Sequence, residues 1–142
     1  MNFVKSSNVK TNKVKRDTFN NLLENPYFTI NSVEQSKIDN AHQTSGKYSQ
    51  EVSEFEECNL KEVYFKNFPI PFVLSSRIKI GLKLKQKKKL VNGTYLIIGK
   101  IELLILPNSN FEKTMDNSVG VVGLNTYYSI KKIKELDYVR IK

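Results

Sequence analysis

The sequence predicts a strand-dominated fold, mainly β with a few short helices (α+β). Three observations carry this. Ile78, Ile80, Leu82 and Leu84 alternate with Lys79, Gly81, Lys83 and Lys85, a period of two that puts one face in a core and the other in water. Asn92-Gly93 and a long apolar run from Thr94 to Leu106 follow, completing a strand, a turn and a second strand. Tyr27 to Val33 is β-branched and aromatic, the composition of a further strand.

Taken in order, residues 1–15 are polar and basic and read as a loop or frayed arm. Asp17 or Thr18 suits the N-cap of a helix that places Phe19, Leu22 and Leu23 on one face. Asn25-Pro26 ends that helix, because the residue before proline disfavours helical geometry. After the strand at Tyr27 to Val33, Glu34 to Gln43 is a short polar helix and Thr44 to Gln50 a loop. Glu51 to Cys58 holds one or two helical turns around Val52 and Phe55, and Pro69 and Pro71 mark an extended linker. In the hairpin, Asn92-Gly93 fits a type I′ turn, which needs φ > 0 at both residues. Gly99 marks a bulge or bend in the second strand. Beyond it come a polar loop (107–118), a short strand at Val119 to Leu124, a helix over Tyr128 to Leu136 and a tail strand at Tyr138 to Ile141.

The chain has 142 residues, 39% of them hydrophobic and 26% charged, which suits one domain with its own core rather than a disordered chain. No apolar run reaches the roughly 20 residues that span a bilayer, and the first 15 residues lack the apolar region of a secretory signal. Cys58 is the single cysteine and has no internal disulfide partner, so a reducing, cytoplasmic setting is expected. The formal net charge of +9 raises the prospect of an anionic partner. Lysines crowd Lys79 to Lys89, while Glu51 to Glu62 is acidic. Since edge strands are commonly lysine-decorated against edge pairing, and no aromatic alternates with these lysines along the strand, nucleic acid is not expected as a partner, nor is a membrane. One histidine and one cysteine cannot make an ordinary zinc site, and no metal is expected.

Four groups of residues carry candidate chemistry. Arg16-Asp17-Thr18 sits where the first helix begins. Asp17 there is a cap and Arg16 a solvated charge, or the three, with the free N–H groups of the helix start, suit a phosphate. His42-Gln43-Thr44-Ser45 holds the only histidine. It either ties down a loop or presents hydrogen-bonding groups to a planar ligand. Gly123 to Tyr128 offers a tight turn and two rings, Tyr127 and Tyr128, for core packing or for a pocket wall. The fourth group is the lysine-rich strand.

Arg16-Asp17-Thr18, Ala41-His42-Gln43-Thr44-Ser45 and the segments between and after them resemble the flavin reductase-like family, the FMN-binding split barrels. These further segments are Phe19-Asn20-Asn21, Tyr27 to Asn31, Ser53-Glu54-Phe55, Pro71-Phe72-Val73, Gly93 to Gly99 and Gly123 to Tyr128. The resemblance runs roughly from Asn8 to Lys142 and matches the C-terminal two thirds of the family, whose N-terminal portion has no counterpart. It implies residues 16–142 as a partial split β-barrel, incomplete at its N-terminus, behind the arm at 1–15. It also implies FMN as cofactor, NAD(P)H as hydride donor, an unidentified acceptor and a homodimer. Arg16, Asp17, Thr18, His42, Gln43, Thr44, Ser45 and Tyr127 would then contact the cofactor, with His42 beside the reacting rings in a positioning role. The alternative is a non-enzymatic basic binding or dimerisation module.

Overall fold

The structure, a computed structural model, describes residues 17–49, 52–107, 115 and 118–139. The arm at 1–15 and Arg16 lie outside the described residues. The elements in chain order are α1 (Asp17–Glu24), β1 (Tyr27–Asn31), a 3-10 turn (Gln35–Lys37), α2 (Ile38–Gln43), α3 (Glu54–Glu57), β2 (Glu62–Val63), β3 (Phe72–Val73), β4 (Lys79–Lys89), β5 (Tyr95–Ile105), β6 (Val119–Val122) and β7 (Thr126–Ser129). The strands form an antiparallel sheet of order β1-β4-β5 and two antiparallel pairs, β2-β3 and β6-β7.

The central sheet is covered most fully on one face. Tyr27, Thr29 and Asn31 stand opposite Lys83, Gly81 and Lys79, so these six share a face. Phe65, Phe68 and Phe72 gather there, with ring centroids 5.2 Å apart for Phe68–Phe72 and 5.5 Å apart for Phe65–Phe72 and Tyr27–Phe68. Glycine is required at 81, because a Cβ would stand 2.7 Å from the Phe68 ring. The covering segment is tied down by polar bonds. Thr29 Oγ1 donates to the Pro71 carbonyl (3.2 Å) and Val73 N donates to Asn31 Oδ1 (3.1 Å). On the opposite face the ring of Phe28 takes the space a Cβ would fill at Gly99. Ile101 and Leu104 there remain 55% and 52% exposed. A second, smaller core joins Val33, Ala41 and Val119, with Ile38 and Tyr127 against it, and so packs α2 on the β6-β7 pair.

Four expectations need correction. Lys79 is not on a wet face: it is only 7% exposed, because the loop before β4 folds over it. Its ammonium donates to the carbonyls of Leu74 and Ser76, and burial pulls its pKa below the ordinary lysine value against the opposing pull of Glu34. The β4-β5 turn is not type I′, since Gly93 (φ 82°) but not Asn92 has positive φ. Gly93 N donates to the Leu90 carbonyl (3.0 Å) and Leu90 N to the Thr94 carbonyl (2.8 Å), which makes a three-residue loop with glycine in the left-handed position. The expected helix over Tyr128 to Leu136 does not form, because Tyr127 and Tyr128 pair with Val121 and Gly120 in β7 and residues 130–139 carry no regular element. The described part of the expected tail strand, Tyr138 and Val139, is likewise irregular.

Candidate functional site

The site is built from two neighbourhoods joined by one loop. α2 supplies the first. Ile38 and Ala41, three residues apart on one helical face, turn into the small core. His42, the next residue, therefore points away from that core and is exposed. Thr44 ends the helix: it is buried, and its hydroxyl donates to the Ala41 carbonyl at 2.8 Å. Ser45 N and Gly46 N donate to the carbonyls of His42 and Gln43, each at 2.9 Å. The hydroxyl of Thr44 thus turns inward to hold the helix end, while Ser45 stands exposed.

Tyr127 comes from β7, 85 residues further along the chain. In the β6-β7 hairpin, Gly123 adopts φ 68° at the turn, a left-handed value that suits glycine. The register Val121↔Tyr127 leaves Tyr127 half-buried against the small core. The phenol oxygen meets His42 Nδ1 at 2.8 Å, and the two rings stand edge to face with centroids 5.8 Å apart. Burial, then the Asp39 carboxylate, push the Tyr127 phenol above its ordinary pKa, so it stays protonated. Either the phenol donates to a bare Nδ1, or Nδ1–H donates to the phenol oxygen. In both cases Nδ1 is occupied, and Nε2 is the ring nitrogen left to face a ligand.

The second neighbourhood is an open cleft of about 630 Å³ lined by α1 on one side and by Tyr48, Ser49 and residues 52–55 on the other. Thr18, Asn21 and Leu23 line it from α1, and Tyr48, Val52 and Phe55 from across. Thr18 therefore borders open space at the start of an eight-residue helix, where backbone N–H groups lack helical partners. Among the described residues, His42 and Tyr127 do not line this cleft.

The connection between the neighbourhoods was not anticipated from the sequence. Tyr48 lines the cleft and donates its O–H to the Gln43 carbonyl (3.3 Å), while Cys58 Sγ donates to the Tyr48 oxygen at 3.7 Å. The Cys58 bond, then burial, raise the Tyr48 pKa. Gln43 and Asn40 donate their side-chain amides to the carbonyls of Glu57 (3.1 Å) and Cys58 (2.9 Å), satisfying the end of α3. Gln43 thus spends its N–H on the fold. No local signal marked Tyr48 or Asn40, because their partners lie at least five residues away.

Among the described residues no three His, Cys, Asp or Glu side chains stand together to hold a metal, and no helix is long and apolar enough to cross a membrane.

Comparison with known proteins decides the family. The flavin reductase like domain matches residues 8–125. This chain belongs to the flavin reductase-like family. Among solved structures, a protein assigned as a flavin reductase with a split-barrel domain, from Shewanella frigidimarina, is 34% identical with a TM-score of 0.79; the match covers 86% of this chain and 65% of that one. Nitrilotriacetate monooxygenase component B from Bacillus cereus is 18% identical, TM-score 0.73, with the same two coverages. An FMN-binding domain of a flavin reductase-like enzyme from Shewanella baltica is 13% identical, TM-score 0.71, covering 85% of this chain and 69% of that one. The last two likenesses concern the fold. The flavin reductase-like chain thus spans 65% of the length of the first two structures. No curated protein matches it. The strand-dominated architecture read from the sequence is the split-barrel fold of these neighbours.

Proposed function

We propose that this domain binds FMN and supports hydride transfer from NAD(P)H to an acceptor, in the cytoplasm and as a homodimer. The family match over residues 8–125 is the observation that carries the reading. The donor set suits such a nucleotide. The start of α1 and the Thr18 hydroxyl, with Arg16 and Asp17 just before, are chemistry for a phosphate. Exposed His42 and Ser45 are chemistry for the polar edge of a flat ring system. With FMN bound, two-electron chemistry would be the cofactor's own.

The chain's residues would do the rest. Arg16, Asp17 and Thr18 anchor the phosphate. His42, through Nε2, and Ser45 bond the ring edge. Tyr127 fixes the imidazole through Nδ1. Gln43 and Thr44 hold the loop that carries His42 and Ser45. A second copy would cover the apolar side chains left open on the Phe28 face of the sheet, Ile101 and Leu104.

The test is anaerobic mixing of FMN-loaded protein with NADH or NADPH. Bleaching of the visible flavin band is expected with at least one. A loaded protein that neither nucleotide bleaches would refute the hydride step, while size-exclusion mass measurement reads the dimer separately.

A further inference from the structure

β1 pairs with β4 only from Lys79 to Lys83. Beyond that point β4 and β5 continue together as a two-stranded ribbon up to the loop at Leu90 to Thr94. Lys83, Lys85, Lys87, Lys88 and Lys89 lie along it, the last four exposed. A register shift between Leu84 and Gln86 sets Lys85 outside the regular alternation. Past it, Lys87 and Lys89 share a face with Ile97 and Tyr95, while Lys88 shares the other with Leu96. The positive charge therefore rings the ribbon instead of coating one side. Among the described residues no carboxylate pairs with any of these five lysines.

Aromatic rings that the strand itself lacks arrive from neighbouring elements. Lys83 Nζ lies 5.2 Å from the Tyr27 ring centroid and Lys87 Nζ 5.8 Å from that of Phe19. The Phe19 ring packs on Tyr95 at 4.3 Å. These contacts hold the lysine stems and leave ammonium N–H groups for a ligand. Edge protection accounts for lysines on the open edge past Leu84, but not for Lys83, which sits between two paired strands.

We propose that this ribbon is a docking surface for duplex DNA, held through the phosphates without reading sequence. A two-stranded β-ribbon fits the major groove of B-form DNA, and lysines on both faces reach the phosphates of both groove walls. Same-face lysines two residues apart stand about 6.7 Å from each other, far enough for each to reach its own phosphate on a strand that carries one per about 3.4 Å of helix axis. A membrane-surface element segregates charge from apolar side chains, whereas here Lys87 and Lys89 share a face with Ile97 and Tyr95. The rings are packed under ammonium groups and against each other, so they offer no open stacking platform for a single strand.

Fluorescence anisotropy of the full chain against a short labelled duplex of mixed sequence, across a salt series, tests this. Dissociation constants of about 1–100 μM near physiological salt are expected, with affinity falling steeply as salt rises. Replacing Lys87, Lys88 and Lys89 together with Gln should flatten the log–log salt slope by about 3. A charge-matched control, K131Q/K132Q/K134Q, should leave the slope nearly unchanged. Retention of the parental melting temperature and of FMN binding by the ribbon variant keeps this reading separable from the flavin one. Salt-independent binding, equal flattening by the control, tighter binding to single strands, or binding to anionic vesicles with none to duplex would each overturn the proposal.

Discussion

Replacing Tyr127 with Phe isolates the one bond that joins β7 to α2 at the candidate site. The ring stays packed against Val33, Ala41 and Val119, so no cavity opens, and only the 2.8 Å bond to His42 Nδ1 is lost. Net hydrogen-bond contributions run about 0.5–1.5 kcal/mol. His42 is exposed, so water can satisfy the freed nitrogen, and the loss falls in the lower half, about 0.5–1 kcal/mol. That corresponds to roughly 1–4 °C in Tm. Chemical denaturation of the parent, Tyr127→Phe, His42→Ala and the double variant forms a cycle with an expected coupling of about 0.5–1 kcal/mol. FMN titration of the same four proteins extends it: if Tyr127 fixes the imidazole against the ligand, Tyr127→Phe weakens FMN by about 2- to 5-fold. A coupling under about 0.3 kcal/mol, the noise of additive sites, would show that the bond contributes nothing. Unchanged FMN affinity in both single variants would remove the pair from the site.

Other consequences follow from the proposed site and from the packing around it. Arg16→Ala should weaken FMN about 10-fold or more while barely touching riboflavin, as for loss of one charge-assisted phosphate contact of about 1.5–3 kcal/mol; isothermal titration with both ligands reads this, and equal weakening refutes the phosphate role. The lowered Lys79 pKa means the unfolded chain holds the proton more tightly, so stability rises with pH below about 10.5; Lys79→Met should flatten that rise in pH-resolved melts, and an unchanged rise would contradict the burial argument. Gly81→Ala should cost about 1–3 kcal/mol by overpacking against Phe68, and Gly99→Ala less, because Phe28 is only half-buried; equal costs would contradict the packing described. The raised Tyr127 pKa adds stability that is lost above pH about 10, a loss absent in Tyr127→Phe when melts are run through that range.

The parts of the fold written in local patterns could be read from the chain. The β4-β5 hairpin follows from period-two alternation and a glycine turn, and α1 from Phe19 and Leu22 ahead of Asn25-Pro26. What the sequence hid depends on how the chain folds back on itself. The alternation at Lys79 signals a wet face, yet the loop ending in Leu74, Ser75 and Ser76 folds over it and supplies two carbonyls. Tyr128 to Leu136 carries helix-compatible residues, but pairing with β6 overrides so weak a preference. Asn92-Gly93 located the turn correctly, while its type depended on a loop one residue longer. At the site, residue types named His42 and Tyr127 as candidates. Their hydrogen bond spans 85 positions, beyond any local pattern, and the same is true of the links from Tyr48 to Gln43 and Cys58.

The central claim is a flavin site on this chain, and one spectrum tests it. The purified protein is incubated with FMN, passed through a desalting column and scanned in the visible. A retained flavin band, reduced in R16A and Y127F, is the predicted result. A well-folded protein that emerges colourless, with all the added FMN in the small-molecule fraction, would contradict the account.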